Sequence, residues 1–231
     1  MARQLIPRPS TARRVGPDET AEDLAGAPER LSLGAVRAVF GSVLTTPDAC
    51  STRAQVEGVA AAVLAVLVPG TTGGESAPAA VVLIRRASHM RANPGEIALP
   101  GGRIERGEEA LAAALREAEE EVGLDPGLVE VIGTLPVASV YRHPVPIRPF
   151  VAATRVMPDL VANPDEVDGI IVVPLSDLVA PGRYWQEEWD QGGGKGRRMH
   201  FFSLGDDVIW GATARMLHSL LSRLNRKAPP A

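Results

Sequence analysis

A chain of 231 residues, 45% apolar and 23% charged, has enough apolar side chain for one substantial α/β core with segments to spare. Its formal net charge of -4 and its 4% aromatic content argue against nucleic acid or an anionic membrane surface as partner, and against a base-stacking platform. The single Cys50 excludes an internal disulfide and a thiolate metal site, and fits a reducing cytoplasm.

Arg3, Arg8, Arg13 and Arg14 are followed by no apolar stretch, so the N-terminus does not read as a secretory signal. Residues 1 to about 30, rich in Pro, Arg, Ala, Asp and Glu, read as a mobile or loosely docked extension. Leu31, Leu33, Val36, Val39 and Phe40 predict a short amphipathic helix ending near Val43. Residues 1–50 thus form an N-terminal extension, 51–225 the main domain, and 226–231 a basic, Pro-rich tail. Val56–Val68 reads as the first strand; its apolar run is too short to span a bilayer, so the chain is expected to be soluble. A Gly- and Thr-rich loop, Pro69–Pro78, leads to a second apolar run, Ala79–Ile84, and then to Arg85, Arg86, His89 and Arg91. Beyond a central helix, Leu128–Leu135, Val145–Ala153 and Ile170–Val173 read as strands, with Leu175–Leu178 a turn of helix. A hairpin joins Tyr184–Trp189 to Met199–Leu204 through the loop Gln191–Arg198, and Val208–Leu224 closes the chain as an amphipathic helix. Strands with interspersed helices and no repeat imply an α/β sandwich on a mixed sheet.

The central segment carries the chemistry. On a helix over residues 108–122, with Glu121 at zero, Glu117 falls at about -40° and Glu120 at about -100°. Leu111, Leu115, Ala118 and Val122 cluster at about 60° to 120°, an apolar stripe separate from the acids, and Glu119 points to solvent at about 160°. Gly123 suits a left-handed cap. Like charges at this spacing cost roughly 0.2–0.5 kcal/mol per pair, and the helix C-terminus disfavours anions as well. A divalent cation such as Mg²⁺ or Mn²⁺ would compensate both; a solvated acidic face with Arg116 as ion-pair partner accounts for the helix alone equally well.

The surrounding spacing separates these readings. Gly102, Glu108, Arg116, Glu117, Glu120, Glu121, Gly123 and Leu124 stand at the fixed positions of the Nudix box, which this segment resembles, with Ala118 as a small version of the usual aliphatic residue. The resemblance implies an α/β/α sandwich and metal-dependent hydrolysis of a diphosphate. It casts Glu120 and Glu121 as metal ligands and Glu117 as ligand or base. Arg116 would orient these acids, Glu108 would pair with Arg116, and Gly101 and Gly102 would allow close backbone approach, with a carbonyl there a further ligand.

Upstream, Val82, Leu83, Arg86, Ala87, Arg91, Gly95 and Pro100–Gly102 resemble the motif that precedes the box in coenzyme A pyrophosphatases, with departures at Ile84 for Thr and Leu99 for Phe. That likeness implies coenzyme A or acyl-coenzyme A as substrate. Arg86 and Arg91 are suited to its phosphates, whereas Arg85 reads as equally apt for a surface pairing and His89 as a surface residue. Glu166 resembles an acid that approaches the metal site in this family, as ligand or base. Trp210, in a run resembling the start of the family's last helix, reads as core. The departures keep open another diphosphate substrate, such as a nucleotide sugar, a dinucleoside polyphosphate or a nucleoside triphosphate. A non-catalytic ligand sensor is the other alternative, against which the intact Glu117, Glu120 and Glu121 argue. Pairing as a homodimer is expected by family analogy alone.

Overall fold

The computed structural model describes residues 6–16, 23–41, 58–70, 76, 78–141, 145–190 and 196–225. In chain order its elements are β1 (Arg13–Val15), α1 (Leu33–Phe40), β2 (Ala61–Pro69), β3 (Ala79–Arg86), β4 (Ile97–Ala98), β5 (Gly101–Arg103) and α2 (Ala110–Val122). There follow β6 (Glu130–Thr134), β7 (Ala138–Ser139), β8 (Pro146–Ala153), β9 (Val167–Pro174), α3 (Leu175–Val179), β10 (Tyr184–Trp189), β11 (Arg197–Leu204), β12 (Asp207–Trp210) and α4 (Gly211–Asn225).

The apolar run of β2 is buried along nearly its whole length, as expected of a central strand covered on both faces. It runs parallel to β8, with Ala61 opposite Ile147 and Leu67 opposite Ala153, while β3, β5, β6, β7 and β9 add antiparallel pairs. Alternate residues of β2 face opposite layers. Ala62, Leu64 and Val66 meet α2, while Val63, Ala65 and Leu67 meet the layer holding α1 and α4. The result is an α/β/α sandwich on a mixed sheet, the fold class read from the sequence.

One feature of the pairing positions the site. β2 and β3 pair only where Leu67–Pro69 meets Val81–Ala79. Farther along they part: β2 takes β5 at Ala61–Val63, and β3 takes β4 at Ile84–Arg85. Leu99 and Pro100 cross the fork, with the Pro100 carbonyl accepting from the Leu64 N–H at 2.8 Å. Gly101 and Gly102 are thereby fixed in the mouth of the fork, under α2.

A second, antiparallel sheet runs in the order β1-β10-β11-β12. One of its faces, through Phe202 and Ile209, joins the α1/α4 layer. Its other face packs Trp189, Met199, Phe201 and Trp210 together, with Ile6 and Ala12 against them. Trp210 is thus a core residue, as read.

Three elements depart from expectation. The N-terminal segment is more engaged than its composition suggests: Arg13–Val15 pairs with Gln186–Glu188, and Leu24 and Leu31 are buried in the main core. Leu24 stands alone among polar and small residues, which leaves no periodic signal. The helix after them spans Leu33–Phe40, with Ser32 Oγ accepting from Ala35 N–H at 3.2 Å. Val208–Trp210, expected to open the last helix, is a strand instead, because Gly205 and Gly211, both at positive φ, turn the chain before and after it. The stretches expected at Val56–Glu57, within the loops 71–75 and 191–195, and in the tail 226–231 lie outside the described residues.

Candidate active site

The helix that carries the acids is built from small residues. Ala110, Ala113, Ala114 and Ala118 are buried, and Leu111 and Leu115 only partly so. The apolar stripe is therefore not separate from the acids, as expected, but runs under them, since Ala110 and Ala114 share the angular range of Glu121. Alanines bring the helix close to the sheet and draw Glu121 in with them, leaving that side chain 1% exposed. Glu119 remains exposed, and Gly123 ends the helix in the left-handed conformation at φ 66°.

Close approach accounts for both glycines. Gly101 has φ 142°, and a Cβ there would collide with the backbone of Ala62 and Val63. A Cβ on Gly102 would strike the Glu117 carboxylate. The Gly101 N–H donates to Glu121 Oε2 at 2.8 Å, which holds that carboxylate over the fork.

The chain after the helix brings in a third acid. Val161 N–H and Asn163 N–H donate to the carbonyls of Val122 and Glu121 at 2.9 and 3.0 Å, satisfying the last turn. The Asn163 carbonyl then accepts from Glu166 and Val167, which folds the turn back so that Glu166 faces the helix. Glu117, Glu121 and Glu166 offer oxygens that all lie within 4.8 Å of one another. Glu120 stands apart from these three: its side chain is about half exposed and takes a hydrogen bond from Arg116 Nη1 at 2.9 Å. Glu166, which the resemblance casts as an extra ligand or base, thus meets Glu117 and Glu121.

The electrostatics of the trio favour either a proton or a cation. Burial pushes the Glu121 carboxyl up to about 7; the Gly101 N–H and Arg86 pull it down, and Glu117 and Glu166 push it up again. Glu117 is also raised, chiefly by burial, despite its pairing with Arg116. An all-oxygen set of converging carboxylates is the donor chemistry that hard divalent ions take, so the residues present fit such an ion.

Arg116 fastens the outer acids. Its Nε and Nη2 donate to the two oxygens of Glu108 at 2.9 and 3.1 Å, Nη1 reaches Glu117 at 3.1 Å, and Nη2 also bonds the Arg103 carbonyl. Hydrogen bonding to Glu108 raises the Arg116 pKa, and the same contact lowers that of Glu108.

The upstream basic residues divide three ways. Arg85 forms a two-pronged ion pair with Asp207 that ties the two sheets together, settling it as a structural contact. Arg86 turns the other way at a register shift in β3, and its Nη1 stops 3.7 Å from Glu121. Arg91 is exposed, as is His89, whose Nε2 lies 3.0 Å from the Asp165 carbonyl. Sequence reasoning passed over Asn163 and Glu96. The Asn163–Pro164 pair is a turn signal that could have flagged the first. Glu96, whose pKa burial raises and Arg86 lowers, carries no local signal.

The NUDIX domain model matches residues 59–191. Among curated proteins, the Nudix hydrolase NudL of Enterobacter sp. (strain 638) is 37% identical over 156 residues, covering 64% of this chain and 76% of that protein. Nudix hydrolase 3 of Caenorhabditis elegans is 31% identical over 184 residues, covering 70% and 73% respectively. Among solved structures, the Nudix hydrolase RenU of M. smegmatis is 26% identical at a TM-score of 0.44, covering 52% of this chain and 73% of that one. Among the described residues, no helix is long and apolar enough to cross a membrane. With the family model spanning more than half of the chain, and with relatives matched over about three quarters of their length, the protein belongs to the Nudix hydrolases, enzymes that act on small-molecule diphosphates with the help of divalent metal.

Proposed function

We propose that the protein hydrolyses the diphosphate of coenzyme A or an acyl derivative, giving 3′,5′-ADP and 4′-phosphopantetheine or its acylated form. The observation that carries this reading is the meeting of Glu117, Glu121 and Glu166 within 4.8 Å beside Arg86, the last residue of the strand bearing the upstream motif. The two departures from that motif weigh little against it. Ile84 and Leu99 are both buried in the core, where they pack instead of facing a ligand.

In this reading Glu121 would hold Mg²⁺ or Mn²⁺ together with one of Glu117 and Glu166, and with Glu120 once it turns from Arg116. When bound, the ion neutralises diphosphate charge and acidifies water. Whichever of Glu117 and Glu166 is left uncoordinated accepts the proton of the attacking water. Arg116 keeps Glu117 in register, Gly101 and Gly102 let the substrate approach the backbone, and Arg86 and Arg91 pair with phosphates. The substrate and the lone cysteine both suit a cytoplasmic enzyme; a homodimer completes the reading by family analogy.

Product analysis of coenzyme A incubated with the protein and Mg²⁺ or Mn²⁺, beside nucleotide sugars, dinucleoside polyphosphates and nucleoside triphosphates, tests this. Release of 3′,5′-ADP is expected. Cleavage of another compound with none of coenzyme A would overturn the substrate and leave the bond type standing.

A further inference from the structure

Arg86 is placed with care and poorly served. Its backbone is tied on both sides, N–H to the Glu96 carbonyl at 3.0 Å and carbonyl to the Gly95 N–H at 3.1 Å. A guanidinium carries five N–H donors and strongly prefers carboxylate or phosphate acceptors. Among the described residues Arg86 finds none at hydrogen-bond distance. Nη1 is 3.7 Å from Glu121 Oε1, too far for a hydrogen bond. Nη2 meets only the Met90 sulfur at 3.1 Å, a weak acceptor, and Nε is buried without a partner. The neighbouring arginines differ: Arg85 is satisfied by both oxygens of Asp207, and Arg116 by Glu108 and Glu120. A buried donor without an acceptor is destabilising, so its persistence at the edge of the acid trio points to an anion that arrives from outside.

We propose that Arg86 is a positioning residue shared between metal and substrate. It shields Glu121 until a divalent ion takes that role, and then turns its donors to two non-bridging oxygens of the diphosphate, so that cation and diphosphate bind cooperatively. This rests on the reading of the acid trio as the metal site. The physical basis is short. Guanidinium and cation repel each other around one carboxylate, so the ion's arrival weakens the hold of Glu121 on Arg86. The planar fork of Arg86 matches two phosphate oxygens as it matches two carboxylate oxygens. Whatever the ion gains from the diphosphate through Arg86, the diphosphate must gain from the ion. The role assigns Arg86 to the bond that breaks, and leaves the exposed Arg91 to a more distant anion.

The test measures Mn²⁺ binding by the paramagnetic resonance of the free ion, without and with methylenediphosphonate, whose P–C–P link resists hydrolysis, at matched free Mn²⁺. Wild type, Arg86→Met, Arg86→Lys and Arg103→Met are compared, the last removing an exposed positive charge beside Gly102. In wild type the diphosphonate is expected to tighten Mn²⁺ binding about tenfold, an ordinary coupling between two sites. Arg86→Met should bind Mn²⁺ alone several-fold more tightly than wild type and lose most of the diphosphonate gain. Arg86→Lys, which keeps the charge without the fork, should match wild type for Mn²⁺ alone yet lose part of the gain, and it carries the test if the Met variant fails to fold. Arg103→Met should behave as wild type. Retention of the full gain in Arg86→Met, or equal effects in Arg103→Met, would overturn the proposal. If instead Glu121→Gln binds Mn²⁺ as well as wild type does, the metal site itself is wrong, and that failure is distinct from one confined to Arg86.

Discussion

Two glutamates are buried to nearly the same degree in this molecule, and their surroundings differ completely. Glu187, in β10, is 5% exposed and takes hydrogen bonds from Arg8 Nη2, from Trp185 Nε1 at 3.0 Å and from Trp189 Nε1 at 2.8 Å. Glu121, in α2, is 1% exposed and receives one backbone N–H, with Arg86 standing off at 3.7 Å and two further carboxylates close by. A buried charge persists when it is paired and hydrogen-bonded, and otherwise shifts its pKa. Glu187 is complete within the chain and pins the segment at Arg8 onto the second sheet. Among the described residues Glu121 is left incomplete, and what it lacks is positive charge. Burial alone does not mark a functional acid; burial with unmet charge does.

The sharpest way to break this contrast is Glu121→Gln. It keeps the shape and the bond to the Gly101 N–H while removing the charge that attracts an ion. Losing several kcal/mol of charge stabilisation should slow diphosphate hydrolysis on the order of 10³-fold, with the fold intact by circular dichroism. Turnover near that of wild type would take Glu121 out of the ligand set.

Titration tests the Glu121 side of the contrast next. In the folded, metal-free protein Glu121 sits at about 7, above its ordinary 4.5, so between these values the native state holds a proton that the unfolded chain has lost. Its contribution is therefore fully present below pH 4.5 and is lost as pH rises to about 7, a fall of roughly 3 kcal/mol. Glu117 and Glu96, also raised by burial, act in the same direction. Unfolding followed with chelator present from pH 4.5 to 7.5 should show the decline in wild type and lose most of it in Glu121→Gln. Equal slopes in the two proteins would mean that Glu121 does not hold that proton.

The complementary change, Glu187→Gln, should act on stability and leave the chemistry alone. Arg8 is half exposed, so the cost falls below that of a fully buried pair, at about 2 kcal/mol. Denaturant unfolding measures this, and turnover per folded molecule should stay within a factor of two or so of wild type. A large loss of turnover would join the second sheet to the active site in a way this comparison denies.

The contrast also explains what could be read from the chain. The strands, the sandwich and the acidic helix were legible because periodicity and the Gly123 cap are local. The meeting of Glu117 and Glu121 with the pair Gly101–Gly102 was legible because a box of fixed spacing holds them. The sequence shows charge without showing who answers it. Glu187 drew no notice because its three donors come from the remote Arg8 and from two indoles on its own strand. The pairing of Arg85 with Asp207 spans 122 positions, and no local pattern distinguishes it from the neighbouring Arg86. The retreat of Glu120 to the rim depends on Arg116 four residues before it, an ordinary helix pairing that a wheel treats as neutral. The buried alanines under the acids were missed because the wheel weighted leucine over alanine, whereas close packing of helix on sheet favours the smaller side chain.

The smallest expected effect concerns Arg91, which the comparison leaves at the far end of the scale: an exposed cation rather than a buried anion. An exposed guanidinium contributes little to folding, since solvent screens it and its side chain is mobile. Its value must then lie in a ligand that brings its own charge. If coenzyme A is the substrate, the 3′-phosphate is the anion set apart from the bond that breaks, and Arg91 is the basic residue of the upstream motif set apart from the acid trio. Arg91→Ala should leave stability unchanged and raise KM for coenzyme A by about tenfold or less, the scale of one solvent-weakened charged hydrogen bond. With substrate lacking the 3′-phosphate the variant and wild type should be indistinguishable, because the group that Arg91 answers is gone. Equal losses on both substrates would move Arg91 to the diphosphate and remove the division of labour with Arg86.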